Sequence, residues 1–188
     1  ILSGMGHAQT LVTAEQLPEI ARDRRVELVR GEVVEMCPVK RRHGLIVIRL
    51  GSWMERVATE RKLGEVGTEA GFILARDPDT VRAPDIYFIS RERIGDPDED
   101  GYYTGAPDLA VEVLSPGDRP SEVQEKIREY FAAGARLVLV ADPARSNVTA
   151  YLPSGDAHVY TGDDVVSCDP VLPGFSFRVA DLFEAASR

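Results

Sequence analysis

Apolar positions fall into segments with different periods along the chain. From Val26 to Met36 the run VELVRGEVVEM places strand-forming residues on both sides of Arg30-Gly31. A two-residue turn ending in Gly joins antiparallel strands, so the pattern predicts a hairpin. Between His43 and Arg61, Ile46, Leu50, Trp53, Met54 and Val57 recur at spacings of three and four. That spacing puts them on one face of a helix, with Gly64 as its stop. Glu65 to Ala75 and Val81 to Ile89 read as two strands separated by the turn Asp77-Pro78-Asp79. Ser90 to Gly105 is charged, glycine-containing and poor in apolar residues, which predicts a long surface loop.

The strongest strand signal is DLAVEVL at 108–114, broken by Ser115-Pro116-Gly117-Asp118. Ser121 is placed to cap a helix running to about Ala133, with Val123, Ile127, Tyr130 and Phe131 on one face and Gly134 as terminator. A second apolar run, RLVLVA at 136–141, follows. A strand, a helix of this length and another strand make a crossover, which favours parallel pairing. Asn147 to Tyr160, turning at 153–156, predicts a hairpin, and segments 164–168 and 174–183 add a terminal unit. The expectation is an α/β (α+β) fold: a mixed sheet flanked by helices, with extra N-terminal and C-terminal hairpins. Residues 11–188 read as one domain, and residues 1–10 as a segment that could be disordered.

Candidate chemistry starts with Glu112, which interrupts a strand whose two faces both read as buried: Leu109, Val111 and Val113 on one, Ala110 and Leu114 on the other. An unpaired carboxylate there costs several kcal/mol or takes up a proton, so it needs a metal ion or a buried Arg. Two aspartates could join it, in Ala83-Pro84-Asp85 and Ala106-Pro107-Asp108. Asp108 and Glu112 lie on one strand, roughly 13 Å apart at about 3.3 Å per residue, too far to share an ion. Asp85, on another strand, can come alongside. Hard cations such as Mg²⁺ take oxygen ligands and keep several waters, so two carboxylates and a backbone carbonyl form a workable partial shell. A nearby Lys could orient or deprotonate the attacking water.

Net charge changes the picture only partly. The formal charge is −9, which opposes a broad grip on nucleic acid, yet a cation site needs carboxylates and bound metal inverts the local field. Basic residues cluster once, at Lys40, Arg41, Arg42 and His43, either as a solvated turn or as a phosphate contact. No apolar stretch is long enough to span a membrane, and the expectation is a cytoplasmic chain with Cys37 and Cys168 reduced.

Taken in order, ELVRGE at 27–32, His43-Gly44, Pro84-Asp85, PDLAVEVLSP at 107–116, Lys126 with Tyr130 and Gly134, and LPGFSF at 172–177 resemble the Uma-type endonuclease family of the PD-(D/E)XK, restriction endonuclease-like superfamily. The resemblance runs from Leu11 to Phe183. It implies a Mg²⁺- or Mn²⁺-dependent nuclease acting on DNA, with Asp85 and Glu112 as metal ligands and the main-chain carbonyl of Val113 as a third. The superfamily lysine two residues after the acid is replaced here by Leu114, and the resemblance passes its role to Lys126 on the following helix. Glu27 and His43 match auxiliary positions; taken alone, they read as an exposed strand Glu and a solvated or capping His. Because Arg is used nearly everywhere else, a Lys at 126 suggests a compact, deprotonatable amine. Cutting a duplex takes two sites, which favours a homodimer. Two other readings stay open: a non-catalytic nucleic-acid-binding or assembly module that retains the fold, and action on RNA or another phosphate ester.

Overall fold

The computed structural model describes residues 11–22, 24–95 and 101–184. The expectation about residues 1–10 lies outside the described residues. In chain order the elements are α1 (Leu17–Ala21), β1 (Val26–Val29), β2 (Glu32–Glu35), α2 (Arg41–Arg61), β3 (Gly64–Gly67), β4 (Phe72–Ala75), β5 (Thr80–Arg82), β6 (Ile86–Ser90), β7 (Tyr103–Thr104), β8 (Leu109–Val113), α3 (Pro120–Ala132), β9 (Leu137–Asp142), β10 (Asn147–Tyr151), β11 (Ala157–Thr161), β12 (Val165–Ser167), β13 (Ser176–Arg178) and α4 (Val179–Glu184). Six strands form a mixed sheet in the order β11-β10-β9-β8-β6-β3, and five form a second in the order β2-β1-β5-β4-β7.

The β1–β2 hairpin turns at Arg30 (φ 50) and Gly31 (φ 80), the doubly left-handed turn that matches strand twist. The crossover is parallel as the lengths imply, with Leu109 to Val113 paired to Leu137 to Ala141. Its helix starts earlier than the Ser121 cap predicts: Arg119 is the N-cap and Pro120 takes the first position, where a missing N–H costs nothing. α2 begins at Arg41 with Lys40 as its N-cap, so the basic run opens a helix, with Lys40 and Arg41 exposed and His43 buried. It ends on Lys62 in the left-handed conformation, whereas Gly64 already belongs to β3. A Cβ on Gly64 would stand 2.0 Å from the Ile89 carbonyl oxygen, so close strand approach explains that glycine.

Two predicted strands each divide in two. The 65–75 stretch gives β3 in the six-stranded sheet and β4 in the five-stranded one; 81–89 gives β5 and β6, likewise in different sheets. The physical reason is local. Glu69 has a positive φ of 59 and donates its N–H to the Pro84 carbonyl, while Pro84 itself has no N–H with which to continue a ladder. The chain therefore changes sheet at 68–71 and again at 83–85, side by side. The expected 90–105 loop is partly pinned: β7 pairs parallel with β4, and the Tyr103 ring stacks on Phe72 at 4.8 Å.

Strand parity sorts the core. Leu109, Val111 and Val113 face the α2 side, with Ile46, Leu50 and Met54 and the C-terminal Leu172, Phe177 and Leu182. Ala110, Val138 and Val140 face α3 through Ile127 and Tyr130. Glu112, of even parity, points to the α3 side. No described helix is long and apolar enough to cross a membrane.

Candidate active site

β6 and β8 run antiparallel and their pairing stops at Ile86 opposite Val111. One step further, Asp85 lies beside the Glu112–Val113 end of β8, where no strand residue remains to take the Val113 N–H. The Asp85 carboxylate takes it instead: Oδ2 accepts from Val113 N–H at 2.7 Å, and Oδ1 accepts from His43 Nε2 at 3.0 Å. His43 projects from the first turn of α2 and is buried, with Ser115 Oγ 3.5 Å from its other ring nitrogen.

Glu112 is held entirely from α3. Lys126 Nζ donates to Oε2 at 3.2 Å, and the Tyr130 hydroxyl donates to Oε1 at 2.7 Å. Residues four apart share one face of a helix, so a single turn of α3 supplies both donors. Lys126 Nζ also lies 3.1 Å from Glu27 Oε1. Glu27 is buried, not on an exposed strand face, and accepts from Arg82 Nη1 at 2.9 Å and from Ala83 N–H at 3.1 Å. Arg82 continues the chain through its Nε to Glu129 at 2.7 Å. Three carboxylates, Glu27, Glu112 and Glu129, thus share two permanent cations, Lys126 and Arg82, while Asp85 meets only the imidazole of His43 and the Val113 N–H.

The titration behaviour follows from this arithmetic of neighbours. Burial drives the Glu112 pKa up, and the charges of Asp85 and Glu27 reinforce that against Lys126 and the Tyr130 hydrogen bond. Burial pushes Glu27 the same way, but Lys126 and Arg82 outweigh it and hold its carboxyl below the usual range. Burial works against protonation of His43, and the hydrogen bond and charge of Asp85 overcome it, raising the imidazole pKa above 6.5. For Lys126, burial opposes the charged form, but Glu112 and Glu27 together hold the amine protonated. The amine expected from sequence to be compact and deprotonatable lies between two carboxylates, which favour its charged form.

These groups line a cleft of about 620 Å³. Its other walls come from the β1–β2 hairpin, residues 36–40 and the 114–118 turn. Lys40 and His43 of the basic run line it. Arg42 reaches Ser146 at 3.4 Å on the turn after β9, and Arg41 opens α2 beside it. Among the described residues no three His, Cys, Asp or Glu side chains converge as a metal set. Mg²⁺ does not require three, since it binds through one or two carboxylates and keeps its waters. The hard-oxygen pair Asp85 and Glu112, in surroundings short of positive charge, fits such an ion.

Asp108, the alternative aspartate, is wholly buried elsewhere. It accepts from the Ser90 N–H at 2.8 Å and from Arg93 at 3.0 Å, tying the end of β6 to the start of β8. Sequence reasoning missed Arg82, Glu129 and the hydroxyl of Tyr130. Tyr130 read as core, although its spacing of four from Lys126 is the signal that could have joined it to the site. Nothing local announces that Arg82 and Glu129 meet, because they are 47 residues apart.

The solved structures that resemble this chain include one described as a putative nuclease belonging to DUF820 from Anabaena variabilis, with a TM-score of 0.81 and 21% identity, covering 93% of this chain and 99% of that one. At that identity the likeness is one of fold, and the fold is restriction endonuclease-like: a mixed sheet flanked by helices. No curated protein matches the chain. The Uma2 family, described as putative restriction endonuclease, matches residues 12–180. The Asp85, Glu112 and Lys126 cluster lies within that match, and the chain belongs to the Uma2 family.

Proposed function

We propose that this chain hydrolyses phosphodiester bonds of DNA with a divalent cation, Mg²⁺ or Mn²⁺, held by Asp85, Glu112 and the main-chain carbonyl of Val113. The observation that carries the reading is a pair of carboxylates brought together in a cleft by adjacent strands, with an ammonium group against one of them. When bound, the cation supplies a water of lowered pKa and neutralises charge on the phosphate.

The chain's own groups do the rest. Lys126, kept protonated by Glu27 and Glu112, stabilises negative charge growing on the phosphoryl oxygens and takes no proton from water. Tyr130 fixes one oxygen of Glu112, and His43 together with the Val113 N–H fixes both oxygens of Asp85. Glu27 positions Lys126. Lys40, Arg41 and Arg42 stand at the N-terminus of α2, where backbone N–H groups and helix dipole favour a flanking phosphate.

The test is cleavage of labelled DNA in Mg²⁺ or Mn²⁺ by wild type and Asp85→Asn. Cleavage should vanish in excess EDTA and fall in the variant by about 10²-fold or more, with an unchanged circular dichroism spectrum. Cleavage that persists in EDTA would overturn the cation's role. A wild-type protein that binds DNA but never cuts it would make the chain a binding module.

A further inference from the structure

The walls of the cleft carry an unusual balance for a nuclease. Seven lining side chains are carboxylates and four are Lys or Arg, in a chain of formal charge −9. Three of the four are engaged: Arg25 with Glu69 at 2.8 Å, Arg82 with Glu27 and Glu129, and Lys126 with Glu27 and Glu112. Lys40 is the fourth. A protein that grips duplex DNA commonly neutralises about 6–10 phosphates, and this cleft supplies basic side chains for one beside the reacting group.

The cleft also has an apolar patch, beside Glu35 and Lys40. Val29 on β1, Val34 on β2, and Met36 and Val39 in the segment leading to α2 all line it. Val34 and Val39 are each 40% exposed, so this wall is open to a ligand. A cleft of about 620 Å³ lies within the roughly 300–1,000 Å³ range of small-ligand sites. That volume is of the size of a nucleotide unit, far smaller than a turn of double helix. In a duplex the phosphodiesters face outward but the bases stay paired and stacked, so laying a base against this apolar wall costs a duplex a few kcal/mol of unstacking that an unpaired strand does not carry.

Resting on the phosphodiesterase reading above, we infer that the substrate is a single, unpaired polynucleotide strand, held by one nucleotide whose base or sugar lies against Val34 and Val39. A single strand needs one active site, which removes the reason for a two-fold arrangement.

The experiment is fluorescence anisotropy with a labelled single-stranded DNA of about 12 nucleotides and its duplex, with Ca²⁺ replacing Mg²⁺, over about 50–200 mM salt. The single strand should bind at least about tenfold tighter than the duplex. Its log–log salt slope should be no steeper than about −1.5, two phosphates at about 0.7 each. Val34→Glu combined with Val39→Glu should weaken single-strand binding at least about tenfold without changing Tm, since both side chains are exposed. Equal or tighter duplex binding, a slope steeper than about −3, indifference to the paired substitution, or no binding of either form overturns the inference. Cleavage by wild type in Mn²⁺ is scored separately. Tight single-strand binding without cutting sinks the phosphodiesterase reading alone, and preferential cutting of duplex sinks this inference alone.

Discussion

A carboxylate in the middle of an apolar strand must find donors or a cation, and Glu112 finds its donors on one helix, Lys126 for one oxygen and Tyr130 for the other. The two can be separated by substitution. Tyr130→Phe keeps the ring in its core position and removes only the hydroxyl. Leaving a buried carboxylate oxygen without that donor should cost about 1.5–3 kcal/mol, read as a lower urea midpoint at unchanged slope. A midpoint equal to wild type would mean that water replaces the hydroxyl. Lys126 tests charge against shape. Its side chain, 15% exposed, fits between Glu27 and Glu112, and a guanidinium there is larger and planar. Lys126→Arg should therefore lose cleavage by about 10²-fold or more, close to Lys126→Met. An Arg variant with near wild-type rate would show that positive charge alone, and not the compact shape of an ammonium, is what the site requires.

α3 connects the two sheets. Its Lys126 and Tyr130 reach β8 in the six-stranded sheet, and its Glu129 reaches Arg82 on β5 in the five-stranded one. Arg82 also holds Glu27 on β1, so one guanidinium fixes both the helix and the carboxylate that positions Lys126. Arg82→Met strands Glu27 and Glu129 without that cation in a buried setting, which should cost about 3–5 kcal/mol. Thermal unfolding reads the loss, and amide exchange should localise it to α3 and β5. An unchanged Tm would show that the pair carries no net stability. The helix itself was legible from the period of Val123, Ile127 and Tyr130. Its role as a bridge was not, because periodicity reports which face is apolar and not what lies across it.

The halves of the six-stranded sheet are tied by Asp108, whose burial would raise its pKa but whose bonds from the Ser90 N–H and Arg93 hold it below 3.8. A carboxyl depressed by folding stabilises above its unfolded value, and the contribution disappears as pH falls through the folded value. The Tm gap between wild type and Asp108→Asn should thus be full near neutral pH and close below about pH 4; a gap that stays constant with pH would refute the ionised tie. The order of elements, the crossover with its parallel strands and the need of Glu112 for partners were written in local patterns: period, turn residues, and one charge in an apolar run. Asp85 could be preferred to Asp108 from strand spacing alone. Tertiary structure decided the rest. It divided two apparent strands between sheets at Glu69 and Pro84, buried Glu27 and His43, and set Lys126 between two carboxylates. The physical reason is that periodicity and spacing act over a few residues, whereas desolvation and charge pairing depend on neighbours brought together from distant parts of the chain. For Arg82 and Glu129 that distance is 47 positions, and for His43 and Asp85 it is 42.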